Sequence, residues 1–134
     1  MSKKQEYKMK NEQFLIEKTK EEGVKQLRGG VLYEVLERGE SDKSPGPRSI
    51  VTCHYKGMTI NGHVFDETFQ RGCPAAFRVN ELISGFQIAL VNMHIGDHWR
   101  VYIPSEMGYG ARGAGGDIPG NATLIFEIQL MAIG

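Results

Sequence analysis

The chain has 134 residues, 40% of them hydrophobic and 24% charged, which suits one domain with a real core better than two. Sixteen Lys and Arg balance sixteen Asp and Glu, so no net field draws the chain to nucleic acid or an anionic membrane, and neither partner is expected. No run approaches the roughly 20 apolar residues of a membrane span, and the lysines of "MSKKQEYKMKN" lead into no apolar segment of the kind a signal peptide carries.

In chain order, the first twenty positions interleave Lys with Glu, as a solvated helix face does. The pattern predicts a helix over residues 9–22, with Met9, Gln13, Phe14 and Ile16 as a partial apolar stripe and Gly23 as its stop. So weakly amphipathic a helix either packs onto the domain or frays. After Gly29-Gly30 the period changes to two, which divides a helical extension, residues 1–28, from a domain of residues 29–134. "VLYEVLERG" alternates Val31, Tyr33 and Val35 against Leu32, Glu34 and Leu36, as a strand does. "SDKSPGPRS" is loop by composition. In "SIVTCHYKGMTI" Val51, Cys53 and Tyr55 share one face of a second strand, and Thr52, His54 and Lys56 the other. Asn61-Gly62 then signals a hairpin, with "HVFDETF" as the returning strand.

"CPAAFRVN" predicts a short strand around Phe77 and Val79. Helical spacing returns in "ELISGFQIALVNM", where Leu82, Phe86, Ala89, Leu90 and Met93 recur at three- and four-residue steps. "HIGD" is a turn, and "HWRVYIP" and "TLIFEIQLMAI" close the chain as strands. In the last, Leu124, Phe126, Ile128 and Leu130 face one way. The order of elements predicts an α+β fold, an antiparallel sheet packed on one helix, rather than alternating βαβ units.

The side chains that could hold a metal or form a disulfide are few. His94 and His98 stand four apart, but Gly96-Asp97 places a turn between them, so no metal site is expected. Cys53 and Cys73 make neither a C-x-x-C motif nor a disulfide framework, and reduced thiols are expected, with one pairing left open. "GYGARGAGG", Gly108 to Gly116, begins with the G-x-G-x-x-G spacing of a dinucleotide loop, and Glu127 follows about twenty positions on. That reading requires a helix opening at the third glycine. Instead "AGGDIPGNAT" runs straight to the last strand, and its glycines and Pro119 forbid a useful helix. What remains is a long hairpin loop, residues 104–122, made of small residues plus Tyr109 and Ile118. Loops of this length are usually functional, and this one reads as the rim of an apolar pocket. The aromatics Tyr55, Phe65, Phe77, Phe86, Trp99 and Phe126 come from several strands and the helix, and a core alone accounts for most of them. Asp66 directly follows Phe65, and if buried it needs a partner, which Arg71 or the Tyr55 hydroxyl can supply.

Read together, "VTCHYKGMTINGHVFDETFQRGCPAAF" and "LISGFQIALVNMHIGDHWRVYIPSEMGYGARGAGGDIPGNATLIFEIQL" resemble the FKBP-type peptidyl-prolyl cis–trans isomerases, from about Val31 to Ile133. The bacterial macrophage-infectivity-potentiator-like group is the most similar. The resemblance implies a twisted antiparallel half-barrel wrapped around one short α-helix, with the active site between helix and sheet. It implies a site of Tyr55, Phe65, Asp66, Arg71, Phe77, Leu82, Ile83, Phe86, Tyr109, Ile118 and Phe126. Phe86 stands where the family usually has Trp, Leu82-Ile83 where it usually has Val-Ile, Ala75 where many members have Phe, and Ala114 where some have His.

Isomerising an X–Pro bond means twisting an amide over a barrier of about 18–20 kcal/mol, and nothing covalent or cofactor-borne is needed. The expected roles follow. Phe86 floors a slot walled by Phe65, Phe126, Tyr55 and Leu82-Ile83. The Tyr109 hydroxyl and the Ile83 backbone N–H hold substrate carbonyls, and Asp66, positioned by Arg71 and Tyr55, presents a carboxylate near the twisting bond. Expected partners are proline-containing polypeptides, with macrolide inhibitors as further ligands by resemblance. A monomer is expected, in the cytoplasm, or in the periplasm if a signal has been removed. The alternative from another class is a binding or chaperone module that keeps the fold with vestigial activity.

Overall fold

The computed structural model describes residues 1–134. Helix α1 spans Lys3–Thr19, and the strands β1 (Lys25–Gln26), β2 (Leu32–Glu37), β3 (Ile50–Met58), β4 (Val64–Glu67) and β5 (Ala75–Arg78) follow. Then come helix α2 (Ser84–Asn92), β6 (His98–Ile103) and β7 (Leu124–Ile133). All pairings are antiparallel, in the order β1-β2-β6-β7-β3-β4. β3 bears β4 along Lys56–Met58 and β5 along Ile50–Cys53 on its free side. The hairpin expected at Asn61-Gly62 joins β3 to β4, closed by Thr59 N–H donating to His63 O (3.0 Å) and by Gly62 N–H donating to Thr59 O (3.0 Å). The α+β expectation holds.

The inner face of the sheet packs on α2. Val51, Cys53, Tyr55, Val101, Ile103, Leu124, Phe126, Ile128 and Leu130 meet Phe86, Ile88, Ala89, Leu90 and Met93 in one buried cluster. Each Val, Leu, Ile, Phe or Met among them contributes about 1.5–3 kcal/mol on leaving water. α2 starts at Ser84, three residues later than its apolar spacing suggests. Val79–Glu81 form a 3-10 turn, and Leu82 is extended at φ −94° and ψ 166°, so Leu82 joins the slot from ahead of the helix.

The outer face carries α1, which begins well before residue 9. Ser2 caps it: its hydroxyl accepts from the Gln5 N–H (3.2 Å), and its own N–H donates to Gln5 Oε1 (3.1 Å). This reciprocal box satisfies two otherwise orphaned donors. The helix docks rather than frays, but not by the expected stripe. Met9 and Ile16 are 55% and 51% exposed, and Gln13 also faces solvent. The docked side is Tyr7, Asn11, Phe14, Leu15 and Lys18, a true 3.6-residue repeat. Phe14 and Leu15 cover Leu32, Tyr102 and Ile125, while the Lys18 ammonium sits 5.4 Å from the Phe14 ring centre and 5.1 Å from that of Tyr102. Asn11 is the buried anchor: its Oδ1 accepts the Thr123 N–H at 2.7 Å and its Nδ2 donates to Tyr7 O at 2.8 Å. Beside this patch a row of alternating charge, Glu34, Arg100, Glu127, Lys56 and Glu67, crosses five strands. Arg100 reaches Glu34 at 3.3 Å and Glu127 at 3.0 Å. Glu127 is thereby committed to the sheet.

The long loop between β6 and β7 is not structureless, as its composition suggests. It opens with a 3-10 turn, Ser105–Met107, and then closes on itself: Ala114 N–H donates to Ile118 O (2.9 Å), Ile118 N–H to Ala114 O (3.2 Å) and Asn121 N–H to Gly110 O (2.9 Å). No helix follows Gly113. That residue sits at φ +72°, and a Cβ there would lie 2.3 Å from the Ile118 oxygen, so only glycine fits.

Candidate active site

Between α2, the inner face and this loop lies a cavity of about 360 Å³. β3 supplies Tyr55, β4 Phe65 and Asp66, β5 Phe77, and β7 Phe126. The segment entering α2 supplies Leu82 and Ile83, the helix Phe86, and the loop Tyr109, Ala114 and Ile118. Ten of the eleven residues singled out in the sequence therefore face one cavity. Arg71 does not line it; it stands beside Asp66, its Nη1 3.7 Å from Asp66 Oδ1. Trp99 belongs to the core, stacked on Tyr33 with ring centres 4.1 Å apart.

The aromatic walls meet edge to face. Phe86 lies 5.0 Å from Phe126 and 6.1 Å from Tyr55, and Phe65 lies 5.6 Å from Phe126, all between ring centres and near perpendicular. This arrangement sets the positive edge of one ring against the negative face of the next. Phe86 and Phe126 are each only 4% exposed, so the floor is fixed by packing. Gly57 makes the Phe65–Phe126 contact possible. A Cβ on Gly57 would stand 2.6 Å from a Phe126 carbon and 2.7 Å from one of Phe65, and both rings would have to leave.

The polar groups are few. The Tyr55 hydroxyl donates to Asp66 Oδ2. Burial first, and the Asp66 carboxylate second, push the Tyr55 phenol up to about 12, against the opposing pull of Arg71. Tyr55 is thus a neutral donor that orients Asp66 at any physiological pH. The Asp66–Arg71 pair is half exposed, with side chains 44% and 59% accessible, so it steers more than it stabilises. At the mouth, Tyr109 is 39% exposed, and the Ile83 N–H makes no hydrogen bond within the chain. Both are donors free to meet a ligand's carbonyl oxygen.

No His or Cys lines the cavity, and the hydroxyl paired with a carboxylate there, that of Tyr55, is held protonated by burial and by Asp66. The arrangement can bind, orient and desolvate, but it holds no group set up for covalent attack. Two lining residues escaped the sequence reading, Glu81 and Asp117. Each directly precedes a residue that reading did choose, Leu82 or Ile118. Polar neighbours of apolar anchors in loops were the available signal.

The family described as FKBP-type peptidyl-prolyl cis-trans isomerase matches residues 41–131. A peptidyl-prolyl cis-trans isomerase Mip of Coxiella burnetii is 40% identical over 124 residues, covering 92% of this chain and 54% of that protein. An outer membrane protein MIP of Legionella longbeachae is 39% identical over 131 residues, covering 98% of this chain and 56% of that protein. The chain thus spans a little over half the length of these two relatives. Among solved structures, a peptidyl-prolyl cis-trans isomerase from Pseudomonas syringae pv. tomato superposes with a TM-score of 0.91 at 34% identity, covering 100% of this chain and 98% of that one.

Proposed function

The chain belongs to the FKBP-type peptidyl-prolyl cis-trans isomerase family, and we propose that it catalyses rotation about X–Pro peptide bonds in the slot floored by Phe86. The observation that supports this most is the set of perpendicular rings enclosing a space large enough for a proline ring, with two free donors at its mouth.

In the planar amide the carbonyl oxygen carries negative charge borrowed from nitrogen. Twisting removes that resonance, so the twisted state is less polar and suffers less on entering an apolar slot. The slot therefore binds the transition state better than the ground state, which is catalysis by differential binding. Phe86, Phe65, Phe126, Tyr55 and Leu82 grip the ring. Tyr109 O–H and Ile83 N–H donate to carbonyl oxygens flanking the bond and hold one side of the amide while the other turns. Asp66, oriented by the Tyr55 hydroxyl and flanked by Arg71, sets a negative charge near the twisting bond. We assign proline-containing polypeptides as substrates, and macrolides as competing ligands of the same slot.

A protease-coupled assay on a prolyl tetrapeptide tests the reading. Phe65→Ala and Phe126→Ala are each expected to lose most of kcat/KM, and rapamycin to compete with the peptide. Full activity in either variant refutes the assignment of the slot. Peptide binding without any rate acceleration indicates a binding module instead.

We propose a division into an extension, residues 1–28, and a domain, residues 29–134, with the extension held to the sheet both by the docked α1 and by β1 paired with β2. Limited proteolysis cutting near residue 28 without melting the remainder is the expected result. The name of the Legionella relative favours the cell envelope over the cytoplasm, and no helix of this chain is long and apolar enough to cross a membrane. We further propose a monomer of 15.0 kDa, which a light-scattering mass of twice that value would contradict.

A further inference from the structure

The mouth of the slot is acidic. Its charged lining residues are Asp66, Glu81 and Asp117, and no Lys or Arg lines it. Asp66 is engaged by the Tyr55 hydroxyl. Glu81 ends the 3-10 turn ahead of α2, and Asp117 stands on the long loop next to Ile118, so the two come from different elements that border the slot. Their side chains are 73% and 68% exposed, and neither carries any packing.

The side chains that pair with these carboxylates, two arginines and a histidine, lie outside the cavity. Arg78 Nε is 3.8 Å from Glu81 Oε1, Arg71 Nη1 is 3.7 Å from Asp66 Oδ1, and His63 Nε2 is 3.2 Å from Asp117 Oδ1. Exposed pairs at such distances hold their partners loosely, so a cation arriving from the slot side can replace them. Leu82 and Ile118, the residues that follow Glu81 and Asp117 in the chain, line the same cavity and offer apolar surface on which the methylenes of a long basic residue can lie while its head stays in water.

We propose that this slot selects prolyl segments with Lys or Arg next to the proline, and that Glu81 and Asp117 set the preference. The proposal rests on the isomerase reading. It adds a charge rule to an apolar slot: ring fit decides that a proline enters, and the two carboxylates decide which neighbours accompany it.

The test is kcat/KM on a peptide panel with Lys, Leu or Glu placed immediately before the proline, and a second panel with the same residues immediately after it. In at least one position Lys is expected to exceed Glu by about tenfold at low salt, falling to about twofold in strong salt, as exposed charge pairs are screened. In the double variant Glu81→Gln, Asp117→Asn, the Lys-to-Glu ratio is expected to fall toward one. Equal rates for Lys, Leu and Glu in both panels overturn the charge rule and leave the isomerase reading standing. A Lys preference that survives in the double variant also overturns it, because other residues would then carry the preference. Acceleration of no peptide at all removes both readings together.

Discussion

The two helices lie on opposite faces of one sheet and hold to it by opposite means. α2 is nine residues, SGFQIALVN, and buries Gly85, Phe86, Ile88, Ala89 and Leu90. α1 is seventeen residues, heavily charged, and has Asn11 as its single buried residue. The short helix is held by hydrophobic burial and gives the slot its floor. The long one is held by a small apolar patch and a hydrogen-bonded side chain. Length and helical propensity therefore say little about how much a helix contributes; the face it buries decides that.

The largest break in this comparison is Phe86→Ala. It removes a ring 4% exposed that touches Tyr55, Phe77 and Phe126, and chemical denaturation should show a loss of about 3–5 kcal/mol. The isomerase activity proposed above should vanish with it, even at temperatures where the variant is still folded by circular dichroism. Asn11→Ala is the matching cut in α1. It leaves the Thr123 N–H, on a residue 1% exposed, without its acceptor, and should cost about 1–3 kcal/mol. If the two variants lost equal stability, the contrast between the helices would be wrong.

Alkaline titration sharpens the comparison with a smaller effect that both faces share. Burial raises the Cys53 thiol to about 12 on the inner face, and burial with Asp66 raises Tyr55 to about 12. On the outer face, burial and Glu34 raise the Tyr102 phenol. All three groups have folded values above their unfolded ones, so the stability they contribute is complete at neutral pH. It is lost as pH rises through the window from about 9 to about 12, where the unfolded chain ionises first. Melting temperature should therefore fall across that window, and a flat profile there would contradict these assignments. Under native conditions a thiol reagent should modify Cys73 and spare Cys53.

Much of this was legible in the sequence because strand alternation and the α2 spacing report burial directly. Tyr55, Phe86 and Phe126 fall on apolar faces by their periods, and the resemblance then added Phe65 and Phe77 and grouped all five. The stripe expected on α1 fails because Met9 and Ile16 are apolar yet exposed, whereas the docked face joins Phe14 and Leu15 to a polar Asn11 and to the Lys18 ammonium over the Phe14 and Tyr102 rings. The outer apolar positions Leu32, Tyr102 and Ile125, set in otherwise polar rows, were the overlooked sign that something covers the sheet there. Arg71 stands outside the slot because its long side chain reaches Asp66 from the solvent side, and spacing cannot show from which side a partner approaches. Gly57 looked like any strand glycine, since the rings that need its missing side chain come from β4 and β7.

The alternating row Glu34, Arg100, Glu127, Lys56 and Glu67 acts as a ruler across the back of the sheet. One residue along, the same strands place Val101 beside Phe126 and Phe126 beside Gly57 on the front. Sliding β7 by two residues would keep its apolar side inward, yet it would take Glu127 away from both Arg100 and Lys56. The charges thus distinguish alignments that hydrophobicity alone would treat as equal. In doing so they fix, from the far side of the sheet, where the Phe126 ring meets the gap left by Gly57.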